Sequence, residues 1–157
     1  MWVCRAGQKA IYLDYFLENS RIYLVWQGFR SNLRNYESRY DYRELVMKEK
    51  NTDNHTSVSN WSGQLFSFCH EMCVGNYVII PHERSRKYCL AKITGIYEYD
   101  ENDERGLFHS HQIEIINDSI PKELFDQTIQ YSLGAFRTIF RAKNEDEILR
   151  RIFEIKK

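Results

Sequence analysis

The stretch Val74-Gly75-Asn76-Tyr77-Val78-Ile79-Ile80-Pro81, followed after a polar turn by Tyr88-Cys89-Leu90-Ala91-Lys92-Ile93-Thr94-Gly95-Ile96-Tyr97-Glu98-Tyr99, decides the fold. Val74-Gly75-Asn76 reads as a turn. Tyr77 to Pro81 is a short, continuous apolar run rich in β-branched residues, which predicts a strand buried on both faces. Arg84 to Lys87 is a basic turn, and Tyr88 to Thr94 is the returning strand. Gly95 marks a bend or bulge, and Ile96-Tyr97-Glu98-Tyr99 alternates as a strand end. His109 to Ile116 then supplies a third strand of the meander, with Ile113 and Ile115 on one face.

The flanks have a different period. Met1 to Ala6 reads as a short strand ended by Gly7, and Ile11, Leu13, Phe16 and Leu17 recur at helical spacing through Asn19. Arg21 to Trp26 is β-rich and predicts a second strand. Arg30 to Arg43 is basic and tyrosine-rich, and is expected to run into a helix through Lys50. Asn51 to Thr56 is read as a polar loop. Val58, Trp61, Leu65, Phe66, Cys69 and Met72 lie near one face of a further helix. Ser119-Ile120-Pro121 is expected to open a short helix, with Pro121 in its first turn. Thr138 to Arg141 is a last strand candidate, and Asn144 is expected to cap a closing helix bearing Ile148, Ile152 and Ile155. The order predicts an α+β fold, a small curved mixed sheet of pseudo-barrel form with flanking helices.

The chain has 157 residues, which suits a single domain over residues 1–157. Its 43% hydrophobic content excludes a disordered tail, and no apolar run approaches the length of a membrane span. The opening residues lack the apolar core of a signal peptide, so a cytoplasmic location is expected. Cys4, Cys69, Cys73 and Cys89 are then expected to be reduced. Cys69 and Cys73, with His109 and His111, make an incomplete zinc set, and no metal or other cofactor is expected.

Basic and acidic residues number 22 each, but the balance is a cancellation. Residues 1–50 carry +3, residues 51–95 +1, residues 96–123 −6 and residues 124–157 +2. The acidic loop, Glu98 to Glu104, would repel a phosphate backbone and should lie away from any nucleic-acid track. No nucleophile elbow, phosphate loop or paired-histidine metal motif is present, so catalysis by this chain is not expected. The Glu154-Ile155-Lys156 triplet mimics part of a nuclease site but lacks the strand context and the partner aspartate.

Several motifs carry a family likeness. They are Met1-Trp2-Val3-Cys4-Arg5-Ala6-Gly7, Gly63-Gln64-Leu65 with Phe68, and Val74-Gly75-Asn76-Tyr77-Val78. They continue with Ala91 to Tyr99, His109 with Ile113-Glu114, Ile120-Pro121 and Tyr131-Ser132-Leu133-Gly134-Ala135. Across nearly its whole length the sequence resembles the N-terminal PUA-like domain of Mrr-type restriction endonucleases, related to the EVE, YTH and ASCH modules. It departs from that family at Asn76, His111 and Ile115, where Asp, Arg and Trp are usual. The resemblance implies a noncatalytic module that binds nucleic acid, with DNA the expected polymer, for a modification-dependent restriction system. A nuclease domain, fused or associated, would be its partner, and no membrane is involved.

The same resemblance puts Trp26 where a YTH-type domain carries a cage aromatic, with Tyr97 and Tyr99 near the other side. A cage works because every base has a π-face to stack. Ser62, Asn60 and Gln64 are candidates to read a base edge. Arg30, Arg34, Arg39, Arg84, Arg86 and Lys87 are candidates to hold flanking phosphates. Each has a plainer reading: Trp26, Tyr97 and Tyr99 as packing residues, the arginines as a solvated face. Two other functions remain open, an ASCH-like hydrolase acting on a modified nucleoside and a protein-interaction module that positions a nuclease.

Overall fold

The computed structural model describes residues 1–155, with the Ile155 side chain excepted. Lys156, and with it the complete Glu154–Lys156 triplet, lies outside the described residues. The fold is α+β. Seven strands, β1 (Trp2–Cys4), β2 (Arg21–Tyr23), β3 (Tyr77–His82), β4 (Lys87–Ile93), β5 (Glu98–Tyr99), β6 (His109–Pro121) and β7 (Ile139–Arg141), form one sheet. Its order is β2-β6-β4-β3-β1-β7, with β5 also paired to β6. β1 runs parallel to β3, and the other pairs are antiparallel.

β6 curls the sheet. Its first residues pair with both β2 and β5, whereas Ile113 to Pro121 pair with β4. Register shifts at Leu90 bend that second half, as an extra residue in a ladder does. The result is the curved sheet that the sequence led us to expect.

Helices cover both faces. They are α1 (Leu13–Asn19), α2 (Arg39–Lys50), α3 (His55–Phe66), α4 (Gln127–Leu133) and α5 (Glu145–Ile155). Trp2, Cys4, Val78, Ile80, Cys89, Ala91 and Ile93 belong to one core together with residues of α1, α2 and α3. Val3, Ile79, Tyr88 and Leu90 point the other way, into a second core with Ile129, Leu133, Ile148 and Ile152 of α4 and α5. That two-sided burial is why β3 and β4 read as unbroken apolar runs. Among the described residues no helix is long and apolar enough to cross a membrane.

Local chemistry sets the helix starts. Ser38 and Asp41 form a reciprocal capping box for α2. Asn54 caps α3 by accepting from the Ser57 N–H at 3.0 Å, so the helix begins inside the segment expected to be a loop. Beyond Phe66 the chain continues as a π-helical turn, Ser67–Glu71.

Three expectations need correction. The second strand ends at Tyr23, so Trp26 sits in a loop and not at a strand end. Pro121 closes β6 opposite Lys87 and caps the short 3-10 helix Lys122–Leu124 that follows, so it stands just before the expected helix and not in its first turn. Asn144 has φ 62°, unlike the extended backbone usual for a capping residue, although its carbonyl accepts the Ile148 N–H at 3.0 Å.

Candidate nucleic-acid interface

Of the three expected cage aromatics, Tyr97 is closed off from solvent. Tyr97 precedes β5 in the bend after Gly95 and turns inward, leaving it 2% exposed. Its hydroxyl accepts from the Leu33 N–H at 3.1 Å and lies 2.6 Å from His109 Nδ1. His109 Nε2 is 2.7 Å from the Phe29 carbonyl, which can only accept, so Nε2 carries the proton and Tyr97 donates to Nδ1. Burial holds the His109 pKa down at about 4 and pushes the Tyr97 hydroxyl up, so both are neutral structural groups. A cage wall needs an open ring face, and the Tyr97 ring is stacked on His109 with Phe68 at its edge. Tyr97 is a core residue.

Tyr99 donates its hydroxyl to the Arg30 carbonyl at 2.7 Å and packs edge-on against Phe108. Trp26 packs edge-on against Phe29, and the Lys50 ammonium stands 5.4 Å from its ring and 5.4 Å from that of Trp61. His111, buried beside Tyr97, has Nδ1 3.0 Å from the Gly95 carbonyl and Nε2 2.7 Å from that of Phe68. It ties the π turn to the bend that precedes β5. Burial lowers its pKa, with the two carbonyls pulling the other way.

Arg30 and Arg34 fall on the acidic side of the molecule. Arg30 lies over Phe108 and Arg34 donates to the Tyr97 carbonyl. Arg34 and Tyr99 share a small pocket with Glu98, Asp100 and Asp103. Tyr15 donates to Asp103 at 2.7 Å, which anchors the acidic loop to α1. Phosphate would be repelled there.

A much larger concave surface lies elsewhere. A cleft of about 1390 Å³ runs between α3 and the segment from α4 to Lys143. Its cationic lining is Arg39, Arg137, Arg141 and Lys143, against one carboxylate, Glu71. None of the acidic-loop residues lines it. Among the described residues no carboxylate pairs with Arg137 or Lys143. On its wall stand Tyr131, 88% exposed, and Phe136, 95% exposed. Gln64 braces the floor: its Oε1 accepts from the Ile139 N–H at 3.0 Å and its Nε2 donates to Asn60 at 3.3 Å.

Of the expected base-edge readers, Asn60 and Gln64 therefore line this cleft, Asn60 exposed and Gln64 buried, while Ser62, also buried, lies off it and donates back to the Ser59 carbonyl at 3.3 Å. Of the expected phosphate ligands, Arg39 lines it. Arg86 and Lys87 border a smaller pocket of about 260 Å³ that shares Gly134 and Phe136 with the cleft; Lys122 extends its basic rim, whereas Arg5 is paired there with Glu83. Arg86 is partly neutralised by Glu123 at 3.1 Å, and Arg84 is exposed on the adjoining turn. The residues not anticipated are Tyr131, Phe136, Arg137, Arg141, Lys143 and Glu71. For those between Phe136 and Lys143 the signal in sequence is the interleaving of Phe136-Arg137 with Phe140-Arg141 and Lys143.

Among the described residues no three side chains of His, Cys, Asp or Glu converge as metal ligands. The Cys4 and Cys89 thiols are each pushed up to about 12 by burial, which keeps them protonated.

A family model described as a domain of unknown function, DUF8426, matches residues 2–140. The chain belongs to the DUF8426 family. No curated protein matches it. The match takes in nearly all of the sheet and, of the cleft of this DUF8426 domain, Arg39, Glu71, Tyr131, Phe136 and Arg137. Arg141 and Lys143 lie just past its end.

Proposed function

We propose that this DUF8426 domain is a noncatalytic nucleic-acid-binding module whose strand lies in the cleft between α3 and the α4–Lys143 segment. One observation carries the reading: four cationic side chains face a single carboxylate there, beside two almost fully exposed aromatic rings. Arginine and lysine hold phosphates and fix register without reading sequence, whereas exposed rings offer stacking faces to unpaired bases. The resemblance to the PUA-like domain of Mrr-type endonucleases supports DNA as the polymer, a modified base as the feature read, and a nuclease as the partner. The base-reading role moves from Trp26, Tyr97 and Tyr99 to Tyr131 and Phe136, with the exposed Asn60 at hand for a base edge and Gln64 holding the floor beneath it.

The test is fluorescence anisotropy with single- and double-stranded oligonucleotides, plain or carrying cytosine and adenine modifications, at two salt concentrations. Wild type should bind with an affinity that falls as salt rises. The Arg137→Ala, Lys143→Ala double variant should bind more weakly and with a shallower salt dependence. Equal binding by both proteins would overturn the reading. The same exposed rings favour a second reading, a protein-docking face, to which salt-independent association with a protein and no oligonucleotide binding would point.

A further inference from the structure

Within the cleft, Arg39 at the start of α2 and Arg141 at the end of β7 both face Glu71, the last residue of the π turn. Arg39 Nη2 is 3.8 Å from Glu71 Oε1, and Arg141 Nη2 is 3.5 Å from Oε2. Both contacts are longer than a hydrogen bond. Among the described residues the only close partner of the carboxylate is Ser67, whose hydroxyl donates to Oε1 at 2.7 Å. The arginine side chains are 63% and 61% exposed, that of Glu71 28%.

Each guanidinium lies over an aromatic ring, Arg39 at 4.4 Å from the Phe66 centroid and Arg141 at 4.2 Å from that of Trp2. The rings are themselves fixed. Trp2 donates Nε1–H to Asn76 Oδ1 at 3.1 Å, and Phe66 packs against Tyr42 and His70. Rings on fixed supports hold the two forks in place before any ligand arrives. A carboxylate offers two oxygens in one plane and reaches neither fork. A phosphodiester group is tetrahedral, wider and equally anionic, and Arg pairs with it through paired N–H donors.

We infer that Arg39 and Arg141 form a clamp for one backbone phosphodiester, and that Glu71 fills the clamp in the free domain and is displaced when nucleic acid binds. The inference rests on the nucleic-acid reading and names the subsite and its internal competitor. Glu71 thereby acts as a discriminator: weak anions fail to displace it, and a strand already held along the cleft succeeds.

Glu71→Gln tests this, because the amide keeps the acceptor for Ser67 and removes only the charge. The variant should bind oligonucleotides about 3- to 10-fold tighter than wild type, with a slope of log K against log salt steeper by about 0.7 to 0.9. An oligonucleotide of uncharged methylphosphonate backbone should show no such gain. Glu71→Gln combined with Arg141→Met should return the affinity to or below that of wild type. Unchanged or weakened binding by Glu71→Gln, with wild-type binding intact, would overturn the clamp while leaving the nucleic-acid reading standing. Inorganic phosphate, titrated by NMR, provides the other arm. Tighter phosphate binding by the variant without any gain for oligonucleotides would make this a small-anion site and overturn the inference. Absence of oligonucleotide binding by both proteins would overturn the clamp and the function together.

Discussion

Trp2 and Arg141 are direct cross-strand partners in the β1–β7 ladder, and the guanidinium caps the indole at 4.2 Å. The cap seals a ring that is otherwise part of the main core, while the charge stays at the cleft. Trp2→Ala should cost about 3–5 kcal/mol, the range for removing a buried aromatic. Arg141→Met keeps an aliphatic cover over the ring and removes the charge. It should leave stability within about 1 kcal/mol and weaken oligonucleotide binding several-fold. Urea denaturation with anisotropy on the same samples separates the two effects.

Tyr131 and Phe136 contribute almost no buried area, so their removal should spare the fold. Each Ala variant should unfold within about 0.5 kcal/mol of wild type. Oligonucleotide binding should weaken by about 1–3 kcal/mol for each ring that carries a stacked base. Unaltered affinity in both variants would take these rings out of the interface.

Tyr97→Phe distinguishes a core residue from a cage wall. The substitution keeps the ring but leaves the buried Leu33 N–H and His109 Nδ1 without their partner. A loss of about 1–3 kcal/mol in stability is expected, with oligonucleotide affinity unchanged. Retained stability with lost preference for a modified base would restore the cage.

His109 makes acid destabilising. Its native pKa is about 4, below the ordinary histidine value because the ring is buried. Between pH 6.5 and pH 4 the unfolded chain therefore binds a proton that the native state refuses, and stability falls as pH falls. The full loss through this group is about 3 kcal/mol, complete near pH 4. Urea unfolding at pH 7.0 and pH 4.5 should show a shallower decline for His109→Gln than for wild type. An equally steep decline would assign the acid sensitivity to other groups.

The parts of the fold that were readable in sequence are those held by local pattern. Ile148 and Ile152, four apart on α5, are both buried, and the apolar runs of β3 and β4 mark strands covered on both faces. The misreadings came from long-range pairing. The local pattern ends the third meander strand at Ile116 and gives Ser119 to a helix, yet β4 pairs with Asn117, Ile120 and Pro121 and so carries β6 on to Pro121, with Ile120 buried. Tyr97 and Tyr99 are two apart, which puts both on one face of a regular strand, but β5 starts only at Glu98 and the bend turns Tyr97 away. The cleft was hidden for a related reason. Arg39, Asn60 and Glu71 meet Tyr131 to Lys143 only after the sheet has joined β1 to β7. Single-strand alternation holds no information about such a meeting.

The insertion of β1 between β3 and β7 has a consequence for synthesis of the chain. Trp2–Cys4 leaves the ribosome well before its neighbours, Val78–Ile79 and Ile139–Arg141. One flank of β1 therefore waits for β3 and the other, longer still, for β7. During that interval the nascent chain carries an apolar strand with open edges, the kind of surface that recruits chaperones or other unfinished chains. A ribosome stalled before Ile139 would hold a polypeptide whose β1 edge lacks its covering strand, so the yield of native protein depends on how promptly β7 is translated.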